Sequence, residues 1–172
     1  MVRDKIHQLL DRLPEEELDN VVFVLEFIEM KYLFKKNLRE KGVVVSELFE
    51  EAQDLIDTWD RAFAENISEE TKESIHYDEF KWHMFSYEKQ DCLKEEEARA
   101  AFNAMPKDEL YGMVQRSPSV FRYENAGKVL ASDFDSEQDI YLFDMNLTWT
   151  YVHTHESDLG PYFFKRKENS TI

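Results

Sequence analysis

The sequence predicts an α+β fold: an N-terminal helical hairpin and a third helix, then a small mixed domain with a mainly antiparallel sheet. Three observations lead there. Apolar residues recur at three-to-four spacing as far as about residue 63. Beyond residue 75, short aromatic and β-branched runs alternate with turn residues. Only the segment around 93–105 returns to helical spacing in that second half.

The first helix, within residues 3–13, carries Ile6, Leu9, Leu10 and Leu13 on one side. Leu13-Pro14 breaks it, and Pro14 suits the opening turn of a second helix whose positive end is matched by Glu15, Glu16 and Glu17. Leu18, Val21, Val22, Leu25, Ile28 and Tyr32 form one face of that helix, which is expected to end near Lys41 with Gly42 as its cap. Phe23, Phe27 and Phe34 lie opposite, so the helix is apolar on more than one stripe. Such a helix is either buried on two sides or paired with another chain. Val43-Val44-Val45 reads as an extended link, and Ser46-Glu47 as the start of a third helix bearing Leu48, Phe49, Ala52, Leu55, Ile56, Trp59, Ala62 and Phe63. The polar stretch from Asn66 to Ser74 reads as a boundary. The expected division is a helical region over 1–74, an α+β domain over 75–166 and a frayed tail over 167–172.

In the second part, Phe80 to Tyr87 alternates loosely and predicts a strand. A helix is expected from Leu93 to Met105, stopped by Pro106. Leu110 to Val114 and Ser119 to Tyr123 are short and ambiguous, and Asn125 to Leu130 suits a short helix. Strands are expected at 139–143, 147–154 and 162–165, with turns at Asp144-Met145-Asn146 and Gly160-Pro161.

A chain of 172 residues with 42% hydrophobic and 14% aromatic content can bury a core without staples. The single cysteine, Cys92, cannot form an internal disulfide. With no signal-like apolar run after Met1, a cytoplasmic location is expected. The most apolar stretch, Asn20 to Phe34, is interrupted by Glu26, Glu29 and Lys31 and is too short to span a bilayer. The net charge is −16, with residues 1–75 holding 10 basic and 19 acidic side chains and residues 76–172 holding 11 and 18. This argues against direct nucleic-acid binding and favours a basic protein partner, although solubility accounts for the charge equally well. The runs Glu15, Glu16, Glu17, then Glu50, Glu51, then Glu95, Glu96, Glu97 are the candidate contacts. Helix N-terminal charge explains the first and third as readily.

Two stretches carry resemblances. Ile6…Leu9-Leu10…Leu13-Pro14-Glu15-Glu16-Glu17-Leu18 resembles a short helix-turn-helix hairpin found on many small bacterial and phage proteins, antitoxin-like ones among them. That resemblance implies a packing or dimerisation hairpin, hence a homodimer through the N-terminal helices. From Tyr77 to Lys165, the landmarks are Trp82 to Tyr87, Glu97 to Phe102, Asp139-Ile140-Tyr141, Leu147 to Glu156 and Gly160-Pro161-Tyr162-Phe163. These resemble an uncharacterised bacterial domain-of-unknown-function family common in Gram-positive spore formers. Similar endings, T-H-E followed by G-P-Y-F, occur among small acidic immunity-like proteins.

The densest chemistry lies in Thr148 to Glu156. On a strand, His153 and His155 share a face. With His83, or with Asp158, they are candidates for a metal site, but the spacing matches no established zinc signature and no cofactor is expected. Hydrogen-bonding within an aromatic core is the alternative for these histidines. His155 and Glu156 are the candidate catalytic pair. Thr148, Thr150 and Thr154 would need an activating base to act as nucleophiles. Cys92 at a helix entry is discouraged as a thiolate by Asp91 and Glu95 to Glu97. With four glycines and no phosphate-loop pattern, nucleotide chemistry is not expected. The sequence therefore points to a non-enzymatic acidic binding module of the immunity, antitoxin or phage anti-defence kind. The alternatives are a small metal-dependent hydrolase and a carboxylate mimic of duplex phosphates.

Overall fold

The computed structural model describes residues 1–167; the part of the expected frayed tail that runs from 168 to 172 lies outside the described residues. The chain is α+β, and it divides into two units, one of Met1–Lys36 and one beginning at Asn37.

The first unit holds α1 (Val2–Leu10) and most of α2 (Glu15–Glu40). Pro14 separates them as the sequence requires, and its carbonyl accepts the first backbone bond of α2 from Glu17. No residue of α1 is buried, and the only buried residue of α2 is Leu38, beyond the unit's end. α2 stops at Gly42, whose φ of +85° lets Gly42 N–H reach the Arg39 carbonyl and Val43 N–H reach that of Leu38. These two bonds define a Schellman cap.

The second unit is a seven-stranded antiparallel sheet in the order β1-β4-β3-β5-β6-β7-β2. Its strands are β1 (Val44–Leu48), β2 (Leu93–Lys94), β3 (Glu109–Val114), β4 (Val120–Glu124), β5 (Ile140–Asp144), β6 (Trp149–His153) and β7 (Tyr162–Lys165). The ambiguous segments at 110–114 and 119–123 are the paired strands β3 and β4. Val44–Leu48 is not a link but an edge strand, with Val44 opposite Glu124 and Leu48 opposite Val120. That pairing delays the third helix, α3, to Ala52–Ala64.

One face of the sheet is covered by α3, α4 (Glu69–Ser74) and α5 (His83–Ser86). Trp59, Phe63, Trp82 and Phe85 pack there with Tyr141, Phe143, Val152 and Tyr162. Trp59 Nε1 donates to Thr150 Oγ1 at 3.1 Å. The other face is covered by α6 (Glu95–Ala104), whose Phe102 meets Trp149 and Tyr151 with ring centroids 5.6 and 4.6 Å apart. Double coverage explains why β5 and β6 read as nearly continuous apolar runs rather than clean alternation.

Two stretches hold helical turns. The polar stretch 66–74, read as a boundary, holds a helix: Ser68 caps α4 by accepting from Thr71 N–H, and the flanking Ile67 and Ile75 are buried in the core. Residues 80–87 are not a strand. His83, Phe85 and Ser86 donate backbone bonds to Phe80 and Trp82, which is helical-turn geometry. The alternation there reflects Trp82, Met84 and Phe85 plugging the sheet face, with Trp82 N–H donating to the Tyr141 hydroxyl at 3.1 Å.

Candidate functional site

Glu15, Glu16 and Glu17 are exposed in the first turn of α2, in the N-terminal unit. Glu50 and Glu51 are exposed just before α3, and Glu95, Glu96 and Glu97 are exposed in the first turn of α6. α3 and α6 cover opposite faces of the sheet, so the last two runs do not merge into one surface. The run at Glu50-Glu51 does continue along α3, where Asp54 and Asp57 are also exposed. Asp54 and Asp57 line a shallow concavity with Asp60 and Arg61. Asp60 is tied down, accepting from Lys81 Nζ at 2.7 and 2.8 Å and from Tyr77 OH at 2.7 Å. Burial and this neighbouring carboxylate push the Tyr77 phenol well above its ordinary pKa. The three-residue spacing from Glu51 to Asp60 was the signal for this extension.

Charge also divides unevenly between the units. Residues 1–36 hold six basic and eight acidic side chains, a net of −2, whereas residues 37–172 hold 15 and 29, a net of −14.

The three histidines part company. β6 ends at His153, so the two-residue alternation does not extend to His155. His153 Nδ1 pairs with the Glu137 carbonyl at 2.8 Å, and its Nε2 lies 3.9 Å from Asp135. Asp135 also accepts from Arg99 of α6 at 2.7 Å. His155 packs instead on Phe80 and Trp82, with ring centroids 4.9 and 5.9 Å away. His83 shares those two aromatic neighbours, but its Nδ1 is held by the Ile75 carbonyl at 2.6 Å. Among the described residues, no three His, Cys, Asp or Glu side chains gather so as to hold a metal ion. His83, His153 and His155 therefore do not form the ligand set that their types allowed.

What does form is a carboxylate–imidazole pair. His155 Nδ1 lies 2.9 Å from both oxygens of Asp139. Asp139 also accepts from Trp82 Nε1 at 2.9 Å and from the His155 backbone N–H at 3.2 Å. This carboxylate fixes the Nδ1–H tautomer and leaves Nε2 facing Glu156, 3.8 Å away. His153, His155, Glu156, Arg99 and Asp135 line one cavity of ≈ 350 Å³. The buried Tyr151 hydroxyl has no hydrogen-bond partner among the described residues, and burial raises its pKa despite the nearby Arg99 guanidinium. Asp139 sits at the entrance to β5 with a left-handed φ of +51°, and residue type alone did not mark it.

The threonines are structural. Thr148 Oγ1 donates to Asp144, Thr150 Oγ1 to the Leu142 carbonyl, and Thr154 Oγ1 to the carbonyls of Glu156 and Leu159. Asp158 is exposed beside Ser157. Cys92 is half-buried, and burial lifts its thiol to about 11 against a smaller opposing pull from Lys94.

Among the described residues no helix is long and apolar enough to cross a membrane. No curated protein and no solved structure matches the chain. The family model described as a domain of unknown function, DUF4275, matches residues 31–163, which takes in β1 to β6, all of α3 to α6, and the Asp139–His155 pair. The match covers most of the sequence and leaves out most of the N-terminal unit, and by it the chain belongs to the DUF4275 family.

Proposed function

We propose that the chain is a non-enzymatic, cytoplasmic binding module that occludes a basic protein partner, in the manner of an immunity protein, an antitoxin or a phage anti-defence protein. The uneven charge carries this reading: the sheet-based unit bears a net −14, while the N-terminal helices are nearly neutral. The contact surface is the row of Glu50 and Glu51, just before α3, with Asp54 and Asp57 on it, exposed where the helix is anchored from beneath by Trp59 and Phe63. A rigid acidic row of this kind steers a cationic surface toward itself and suppresses neutral or acidic competitors. The N-terminal helices would hold two copies together, and two α3 rows on one dimer raise the effective local concentration for a repetitive or dimeric partner.

The test is capture from extracts of the native host at low salt. Wild-type protein is compared with a variant carrying Glu50→Gln, Glu51→Gln, Asp54→Asn and Asp57→Asn. A basic protein that the wild type retains, and that the variant releases at least tenfold more readily, supports the proposal. Equal retention by both, or no specific retention, overturns it.

The Asp139–His155 pair favours a second reading, a metal-independent acid–base enzyme in which His155 Nε2 takes a proton from a substrate in the cavity. Turnover of ester or amide substrates that His155→Ala abolishes, with folding intact, would support it. No turnover across such a panel would remove it.

A further inference from the structure

β7 is paired along its whole length on one side and over only two residues on the other. β6 runs beside Tyr162 to Lys165, whereas β2 meets only Tyr162 and Phe163. The registers show which backbone groups the shorter partner leaves open. Arg166 N–H donates to the Thr148 carbonyl, and Glu95 N–H donates to the Pro161 carbonyl. In an antiparallel ladder, successive residues turn their backbone groups to opposite neighbours. Phe164 and Arg166 therefore face β6, while Pro161, Phe163 and Lys165 face the β2 side. Continued in register, β2 would set Asp91 opposite Lys165. The chain leaves the sheet before that point, held away by bonds from Lys89 and Gln90 N–H to the Met84 carbonyl. Among the described residues, nothing pairs with the Lys165 backbone on that side. A cavity of ≈ 640 Å³ lies where the strand would have continued. Residues 90–93 form one wall, residues 163–167 another, and Ala62 and Phe63 of α3 contribute a third.

We propose that this gap takes an extended acidic segment of another protein, added as a strand along β7. It is a second interaction surface and does not rest on the acidic row at α3. Lys165 offers one N–H and one carbonyl, so a residue set opposite it can exchange both bonds. That residue's side chain shares the face of Lys165. Its neighbours turn to the other face, where the Phe164 and Phe63 ring centroids lie 6.1 Å apart. The segment that fits therefore alternates carboxylates with apolar side chains.

Charge selects the sign of the partner. Lys165-Arg166-Lys167 is the only run of three consecutive cations in a chain of net charge −16. All three are exposed and line the cavity. Among the described residues none of them pairs with a carboxylate, and Arg166 reaches only the Leu147 carbonyl, at 3.4 Å. Glu65 and Asp91 also line the cavity, so the cations exceed the carboxylates there by one. Lysine on an open strand edge discourages pairing by neutral or basic strands. An acidic strand is the kind that such an edge admits, and its carboxylates would complete the charge of two exposed lysines that have no other use.

The experiment adds a fluorescein-labelled peptide of alternating glutamate and valine to the full chain. Binding is read by fluorescence polarisation, and occupancy of the cavity by the alkylation rate of Cys92 in its wall. Saturable micromolar binding is expected, with Cys92 alkylated at least threefold more slowly at saturation. Lys165→Gln with Lys167→Gln is expected to weaken binding at least tenfold, and N-methylation of the peptide's backbone amides to do the same. Both lysines are exposed, and unchanged emission from the buried Trp59, Trp82 and Trp149 certifies the variant's fold. No binding at millimolar peptide, an unchanged Cys92 rate, or equal binding by the N-methylated peptide overturns the proposal. Equal binding by a lysine–valine peptide or by a single-stranded oligonucleotide overturns it as well. So does a peptide that binds only once residues 168–172 are deleted, since the occupant is then the chain's own end. None of these outcomes bears on capture by the acidic row at α3, which the lysine variant keeps.

Discussion

Removing the Asp139 carboxylate tests how the 137–156 region is held together. Asp139 accepts from Trp82 Nε1, from the His155 ring and from the His155 backbone, all between 2.9 and 3.2 Å. Asp139→Ala strands the indole N–H of Trp82, a residue only 1% exposed, and an unsatisfied buried donor costs about 1–3 kcal/mol. Aspartate adopts the left-handed φ of +51° more readily than alanine, which adds a smaller increment. The expected loss is about 1–3 kcal/mol, read as a lower urea midpoint at unchanged slope. Asp139→Asn keeps an acceptor for Trp82 and tolerates the left-handed backbone, so it should cost less than half as much. An alanine variant within about 0.5 kcal/mol of wild type, or an asparagine variant as unstable as the alanine one, would refute this account of the pair.

Two further outcomes follow from packing and burial. A methyl group at Gly112 would meet Tyr123 Cε2 at 2.9 Å and Leu142 Cδ2 at 3.0 Å, so Gly112→Ala should lose about 1–3 kcal/mol by overpacking, visible as a lower thermal midpoint. Burial raises Cys92 from an ordinary value near 9 to about 11. Its neutral form is favoured by folding, so that contribution is whole below pH 9 and is lost as pH rises through 11. At pH 8 the folded protein should therefore hold about a hundredfold less thiolate than an open thiol, and be alkylated correspondingly slowly, with the rate recovering in urea.

How far the residues foretold this structure depended on where their signals came from. α2 and α6 were readable because their punctuation is local: Pro14 and Gly42 for one, Pro106 for the other. β5, β6 and β7 were readable because β-branched and aromatic runs sit between turn residues. Trp82 misled because its burial against Tyr141 is a tertiary fact, and its neighbours' alternation imitates a strand. Val44–Leu48 misled because pairing with β4, 72 or more residues away, is invisible to local propensity. At the candidate site, His155 and Glu156 were found by residue type, while the partner that orients His155 was not, since Asp139 lies 16 residues upstream. The histidine grouping failed for a related reason: strand alternation holds only while the strand lasts, and β6 ends at His153.

The binding role of α3 is tested most directly by a hydrogen-exchange protection map of the chain with and without the basic protein it captures. New protection is expected on residues 50–61, with Ala98 to Phe102 of α6 on the opposite sheet face unchanged. Protection confined to the cavity around His153 to Glu156, or equal protection on both faces of the sheet, would contradict it.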